Sequence, residues 1–301
     1  MMNKYHESVL LKESINALNI ISDGVYVDVT FGGGGHSREI LKHIKNGTLI
    51  AFDQDSDSLT NTIVTEKKFH IIHRNFRYIQ DSLNTLGISK INGLIADLGV
   101  SSHQFSDNQR GFSINYDARI DMRMDNRSLT TGKFILNNYS KKNLNRIFRD
   151  HADFRNPNSI SDQIINFRTN KEIETVFDLK SIFQASIPLK YQNKFFARLF
   201  QAIRIEVNDE VNSLKEMLDQ TRNILVSSGR IVVISYHSVE DKVVKNFMKY
   251  GNLENSLQQD FFGNKLSQFK VLTKKPITPA STEINRNNKS RSAKMRVCEK
   301  I

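Results

Sequence analysis

Four consecutive glycines, Gly32 to Gly35, separate an apolar stretch that ends in an acid (Val25-Tyr26-Val27-Asp28) from a helix-like stretch (Ser37 to Ile44). A second apolar run, Thr48-Leu49-Ile50-Ala51-Phe52, ends in another acid, Asp53. Strand, glycine turn, helix, strand and acid is the order that holds an adenosine-containing cofactor at the carboxyl edge of a parallel sheet. Glycine lets backbone approach a ligand closely and take φ > 0 without steric cost. Asp53 is placed to accept hydrogen bonds from ribose hydroxyls. The alternation of strand-like and helix-like segments over the first hundred residues makes an α/β sheet of βαβ units the first expectation.

The rest of the chain extends that pattern. Helix-like segments Ser56 to Thr65 and Phe76 to Leu86 flank a short strand, His70 to His73, and a fourth strand, Ile91 to Ala96, ends in Asp97. From about Gln104 to Asn193 strand character vanishes and only helices are expected. Ser140 is placed to cap Lys141 to Arg149, and Asp178 to cap Leu179 to Ala185. Val207, Val211, Leu214, Leu218 and Leu225 recur near the helical period, so one long helix ended by Gly229 is expected there. Arg230 to Tyr236 reads as a doubly buried strand, Val239 to Lys249 as a helix, and Phe269 to Leu272 as a last strand. The resulting division is a sheet domain in two parts, 1–103 and 194–301, with a helical insertion at 104–193 and a basic tail at the end.

Composition narrows the partners. The chain has 301 residues, with 43 Lys and Arg against 32 Asp and Glu, for a net charge of +11. That excess favours a polyanion such as nucleic acid, whose condensed counterions Lys and Arg release. No apolar run approaches membrane-spanning length, and the first residues lack the features of a signal peptide. A single cysteine, Cys298, leaves no internal disulfide and no cysteine-based metal site, so a reducing cytoplasm is expected and no metal.

The glycine turn itself argues about its ligand. A dinucleotide fingerprint needs a third glycine that here falls on Ser37 or Arg38, so the turn suits a nicotinamide dinucleotide poorly. S-adenosylmethionine, which has no pyrophosphate, suits it better. Asp97 belongs to the same edge as Asp28 and Asp53, followed by Leu98-Gly99-Val100-Ser101-Ser102. His237 stands between a strand and a helix with Glu240 and Asp241, where a structural hydrogen bond competes with a place in the crevice. Asp121, Arg123 and Asp125 read either as a surface ion-pair cluster or as a brace for the insertion.

These residues converge on a family. The chain closely resembles, nearly end to end, the bacterial 16S rRNA (cytosine-N4)-methyltransferases. The matching blocks begin with His6 and Val9-Leu10-Leu11, Asp28 to Ser37, Asp97 to Ser102 and Arg110-Gly111-Phe112-Ser113. They continue with Asp121-Met122-Arg123-Met124-Asp125, Phe200 to Ile205 with Val207-Asn208, and Ile234 to Asp241. Leu272 to Pro276 and Arg291-Ser292-Ala293-Lys294 complete them. The resemblance implies a class I S-adenosylmethionine-dependent methyltransferase, a Rossmann-like α/β sheet with an inserted helical domain. Its target would be a cytidine of 16S rRNA in the small ribosomal subunit.

Carried over residue by residue, it implies cofactor contacts at Gly34, Gly35, His36, Asp53, Phe76, Asp97 and Gln104. Asp97, Ser101, His237 and a backbone carbonyl of the loop after Asp97 are the candidates near the reacting amine. The Pro-Pro-aromatic motif that many amino methyltransferases place after the fourth strand is missing. Arg198 and Arg204 are divided between RNA phosphates and domain packing, while Arg291 and Lys294 in the tail are expected to meet phosphate. Departures from the family occur at Val29, His151 to Phe154, Lys194 to Ala197, and Asn288 with Lys289, in places expected to face RNA or pack domains. Two other readings remain open, an rRNA-binding assembly factor with a vestigial cofactor site and a nicotinamide-dependent oxidoreductase.

Overall fold

A computed structural model describes residues 8–63, 68–256, 262 and 267–301. His6 and Thr65, named above, lie outside the described residues. In chain order the elements are α1 (Leu11–Leu18), β1 (Val25–Asp28), α2 (Gly35–His43), β2 (Thr48–Asp53), β3 (Phe69–His73), α3 (Ile79–Thr85) and β4 (Ile91–Asp97). Then come α4 (Ser102–Ser106), α5 (Gly132–Asn138), α6 (Lys141–Ala152), α7 (Pro157–Arg168), α8 (Val176–Gln184), α9 (Leu189–Asn208) and α10 (Glu210–Ile224). The chain closes with β5 (Leu225–Ser235), α11 (Ser238–Tyr250), β6 (Phe269–Val271), α12 (Ser281–Arg286) and β7 (Lys294–Lys300). It divides into two compact units, Met1–Gly99 with Val211–Ile301, and Val100–Glu210.

The first unit is the expected class I sheet. Its seven strands run β3-β2-β1-β4-β5-β7-β6, all parallel except β7, which is antiparallel to β5 and β6. Side chains alternate across it, as period-2 strands require. Val27, Ile50, Phe52, Leu94, Ala96, Ile231 and Val233 face α3, α10 and α11 through Leu83, Leu214, Leu218, Val244 and Phe247. Their neighbours Tyr26, Leu49, Ala51, Ile95, Val232 and Ile234 face α1 and α2 through Ile15, Leu18 and Ile40. Both faces are covered, which is why these strands read as continuous apolar runs. No helix among the described residues is long and apolar enough to cross a membrane.

Several sequence expectations are corrected here. The single helix ending at Gly229 is two, because Asp209 takes a left-handed φ of 48° and ends α9. Gly229 is not a cap; α10 stops at Ile224 and the glycine lies inside β5. Asp178 is not the cap of its helix either. Thr175 caps α8, and Asp178 is the reciprocal member of the capping box. Ser56–Asn61 forms a 3-10 turn rather than an α-helix. The basic run before Met295 leads into β7, an inner strand that sequence reading missed. Arg296 projects from it, 7% exposed, and forms a bidentate pair with Asp241 at 2.6 and 3.2 Å.

The second unit is helical, with the short bridge Arg119–Thr175 its sole β pairing among the described residues. It takes in α9, beyond the 104–193 drawn from sequence, because Phe196, Leu199, Phe200, Ala202, Ile203 and Val207 complete its core. Asn208 bonds the Met122 carbonyl and the Met124 amide at 2.8 and 2.7 Å, so the Asp121–Asp125 block is braced on α9. Arg123 pairs with Asp121 and Arg127 with Asp125.

Glu206 is the polar centre of this unit. It accepts from Tyr139 Oη at 3.0 Å, from Arg146, and lies 3.0 Å from His151 Nε2. Burial pushes its carboxyl upward, but the bonds from His151 and Arg146 and the charge of Arg146 outweigh this and bring it to about 2. A carboxylate lowered on folding stabilises above its ordinary pKa and loses that contribution as the pH falls toward the folded value. Glu206→Gln is expected to destabilise the protein by about 2–4 kcal/mol at pH 7, since it unpairs buried donors. Urea unfolding of both proteins should show the gap closing below pH 3.

Candidate active site

The carboxyl ends of three neighbouring strands, β2, β1 and β4, each carry an acid, and the glycine turn leaves from the middle one. Asp28 is 1% exposed and accepts from Ser37 Oγ at 2.6 Å and from the Thr30 amide at 3.1 Å. Burial pushes its carboxyl upward. Rather than facing the crevice, Asp28 anchors the first turn of α2 under the glycines. Asp53 closes the turn from the other side, accepting from the Gly32 amide at 2.8 Å and the Asp55 amide at 2.9 Å. Burial raises its pKa as well.

The turn is held by its carbonyls. Asn61 Nδ2 donates to the Gly32 carbonyl at 3.1 Å, and the Arg38 guanidinium to the Gly33 carbonyl and, at 3.0 Å, to the Asn61 carbonyl. Arg38 stands where one register of the dinucleotide fingerprint would need its third glycine. Gly32 and Gly34 take left-handed φ of 50° and 73°, whereas a Cβ on Gly33 would meet nothing within 4 Å. Gly34 is the N-cap of α2, and Gly35 begins it so close to Ser8 that a Cβ would lie 2.0 Å from the serine hydroxyl.

His36 and Asp97 face one another across this corner. His36 is 4% exposed, with Nε2 3.2 Å from the Val9 carbonyl and Nδ1 3.9 Å from Asp97 Oδ2. A carbonyl only accepts, so Nε2 carries the proton and a neutral ring turns a lone pair toward Asp97. Burial keeps that ring neutral by pushing its pKa down, against the pull of Asp97. Burial also raises Asp97 to about 6, opposed by His36 and by the Tyr236 hydroxyl. His36 Nδ1 and Asp97 Oδ2 thus face each other across 3.9 Å, a gap that an N–H donor of a ligand could bridge.

Tyr236 is the residue sequence reasoning missed. Its hydroxyl donates to Asp97 Oδ1 at 2.7 Å, and its ring lies against Gly99, where a Cβ would approach to 3.3 Å. Its position after β5 is plain in the sequence, but only the sheet order sets it beside Asp97 at the end of β4. Phe76, half-buried in the 3-10 turn Phe76–Tyr78, packs on the same sheet face as Phe52. His237 caps α11: its Nδ1 accepts from the Glu240 amide at 3.4 Å and Nε2 lies 3.1 Å from Glu240 Oε1. Lys294 starts β7 with its ammonium 3.6 Å from Asp241, and Arg291 is exposed in the 3-10 turn before it.

The remaining candidates belong to the helical unit. Ser101 and Gln104 form a capping box on α4, with bonds of 3.1 and 3.0 Å between each side chain and the other's amide. Arg198 donates to the Ala152 carbonyl and covers the Phe154 ring at 4.4 Å, and Arg204 forms a bidentate pair with Glu210 at 2.8 and 2.9 Å. Both guanidinium groups pack this unit internally. The departures at His151 to Phe154 and at Phe195-Phe196 lie in the same packing, with the rings of Phe154, Phe183 and Phe196 each meeting Phe195 in tilted or edge-on contact at 5.2–5.4 Å.

Comparison with known proteins agrees with this architecture. A ribosomal RNA small subunit methyltransferase H of Parabacteroides distasonis is 46% identical over 299 residues, 99% of this chain and 98% of its own. The protein of that name in Cytophaga hutchinsonii is 46% identical over 98% of this chain and 99% of its own. The one in Christiangramia forsetii is 44% identical over 100% and 99%. The family description that fits the sequence, the MraW methylase family, covers residues 3–301, so the chain belongs to that family.

Proposed function

We propose that the chain transfers a methyl group from S-adenosylmethionine to the N4 amine of a cytidine in 16S rRNA, within the small ribosomal subunit. One observation supports this reading above the others: Asp53 and Asp97 border the glycine turn at the strand ends, while the Arg38 guanidinium beside it is turned onto the Gly33 and Asn61 carbonyls. An acidic edge opposes a pyrophosphate and suits a ligand carrying a sulfonium and an ammonium. The residues fit that ligand as a set. Gly33 leaves open space at the turn, Asp53 borders it for the ribose, Phe76 offers an apolar wall, and Asp97 Oδ2 opposite His36 Nδ1 receives the ammonium. Ser101, Gln104 and His237 carry out capping work, which leaves Asp97 as the acid for which the site has an unmet use.

When bound, S-adenosylmethionine supplies a methyl group on a positively charged sulfur. The cytosine amine is a weak nucleophile because its lone pair is delocalised into the ring, so the protein's contribution is alignment. Tyr236 fixes the Asp97 carboxylate, and Asp28 and Asp53 fix the turn. The target base has to leave its stack to reach this edge.

Nucleoside mass spectrometry of 16S rRNA from cells with and without the gene is expected to differ by N4-methylcytidine. Calorimetry with S-adenosylmethionine and with NAD separates the cofactors, and tight binding of NAD alone would overturn the reading.

A further inference from the structure

Because Arg198 and Arg204 are committed to the helical unit's interior, the surface by which that unit meets RNA has to be sought elsewhere. Between Asp178 and Glu206 the chain has no acid and five bases, Lys180, Lys190, Lys194, Arg198 and Arg204. Lys180 bonds the Ile114 carbonyl. The two bases left are Lys190 and Lys194, both exposed in the first turns of α9. They are four residues apart, so they share one stripe of the helix. Beside them Leu189 is 83% exposed and Tyr191 54% exposed, with the Lys190 ammonium 4.8 Å from the Tyr191 ring. Neither lysine is paired with a carboxylate among the described residues.

This tip is rigid. Gln192 Nε2 donates to the carbonyls of Gln184 and Ile187 at 2.9 and 3.0 Å, which closes the turn between α8 and α9. Phe195 and Phe196 then fasten the next turn of α9 into the aromatic cluster. An exposed tyrosine offers a face for a base to stack on, and two ammonium groups on a stretch of chain without acids complement phosphate.

We propose that the α8–α9 tip docks an unpaired segment of small-subunit rRNA, Tyr191 stacking on a base while Lys190 and Lys194 neutralise its phosphates. This rests on the reading of the chain as an rRNA methyltransferase and adds the residues that grip the substrate. Lys190 and Lys194 set the salt dependence of binding, and Tyr191 sets the part of affinity that salt does not screen.

The test is equilibrium binding of the full chain to protein-free 16S rRNA and to small subunits from cells lacking the gene, at several salt concentrations. For K190Q/K194Q the slope of log affinity against log salt is expected to fall by about 1.4. Y191A is expected to lose about five-fold or more in affinity at every salt concentration, with Y191F close to the parent. Calorimetric affinity for S-adenosylmethionine should stay the same in all three. Unchanged affinity and slope in the variants would overturn the proposal even if methyl transfer proceeds. Loss on subunits but not on protein-free rRNA would overturn it too, by placing a ribosomal protein at the tip. Failure of the parent protein to methylate rRNA would instead count against the functional reading, since binding is scored separately.

Discussion

Asp97→Asn is expected to melt at a higher temperature than the parent in the absence of ligand, and to lose methyl transfer. The parent holds a carboxylate raised to about 6 in the fold from an ordinary value of 3.8. For an acid raised on folding, the folded state binds more protons than the unfolded one between those values, so stability falls as the pH rises through that window. Above pH 6 the charged carboxylate costs about 3 kcal/mol, an upper figure because a fifth of the side chain meets water. Asparagine keeps the acceptor for Tyr236 without the charge. The melting gap should vanish near pH 4 and reach a few degrees by pH 7.

Cofactor affinity is expected to move the other way. Losing a charge-assisted bond weakens binding by about 10- to 100-fold. In the parent, affinity should climb as the pH passes 6 and Asp97 ionises, and in Asp97→Asn that climb should be absent. Calorimetric titrations between pH 5 and 8 read both. A variant that binds S-adenosylmethionine as tightly as the parent would remove Asp97 from the site.

The glycine turn supplies the second large effect. Gly34→Ala forces a side chain into a left-handed φ of 73° and sets its Cβ 2.9 Å from the buried Phe31 ring. Strain of about 1–2 kcal/mol adds to overpacking of about 1–3 kcal/mol, so a loss of roughly 2–5 kcal/mol in stability is expected with cofactor binding abolished. Gly33→Ala, one residue away, meets no atom and no backbone penalty and should fold like the parent. Chemical denaturation of the pair decides whether the four glycines are equivalent. Similar stabilities would refute the distinction drawn here.

Much of the first unit was legible because its strands are buried on both faces and end in acids. β1, β2 and β4 could be placed nearly to the residue, and with them Asp53 and Asp97. β7 was hidden by its own composition. Lys294, Arg296, Glu299 and Lys300 look like a solvated tail, and only the ion pair with Asp241 lets Arg296 lie inside a sheet. The break at Asp209 was hidden because no glycine marks it, and Gly229 misled because a glycine inside a strand looks like a helix stop. The arginines of α9 show a further limit, since charge alone does not tell a phosphate ligand from a packing stem whose head finds a carbonyl or carboxylate. Tyr236 went unnoticed because its meaning depends on which strand lies beside β4, and only topology supplies that.

The order of the strands also bears on how this protein is made. β6 reaches the sheet only through β7, and β7 pairs with β5 on its other side. Of these three strands the middle one is translated last. A nascent chain that has emerged only to Ser292 has β5 with one open edge and β6 without a strand to join. The sheet therefore stays open until β7 has been made, and a message cut short before Lys294 would yield a product with an unsatisfied sheet edge for chaperones and proteases to find.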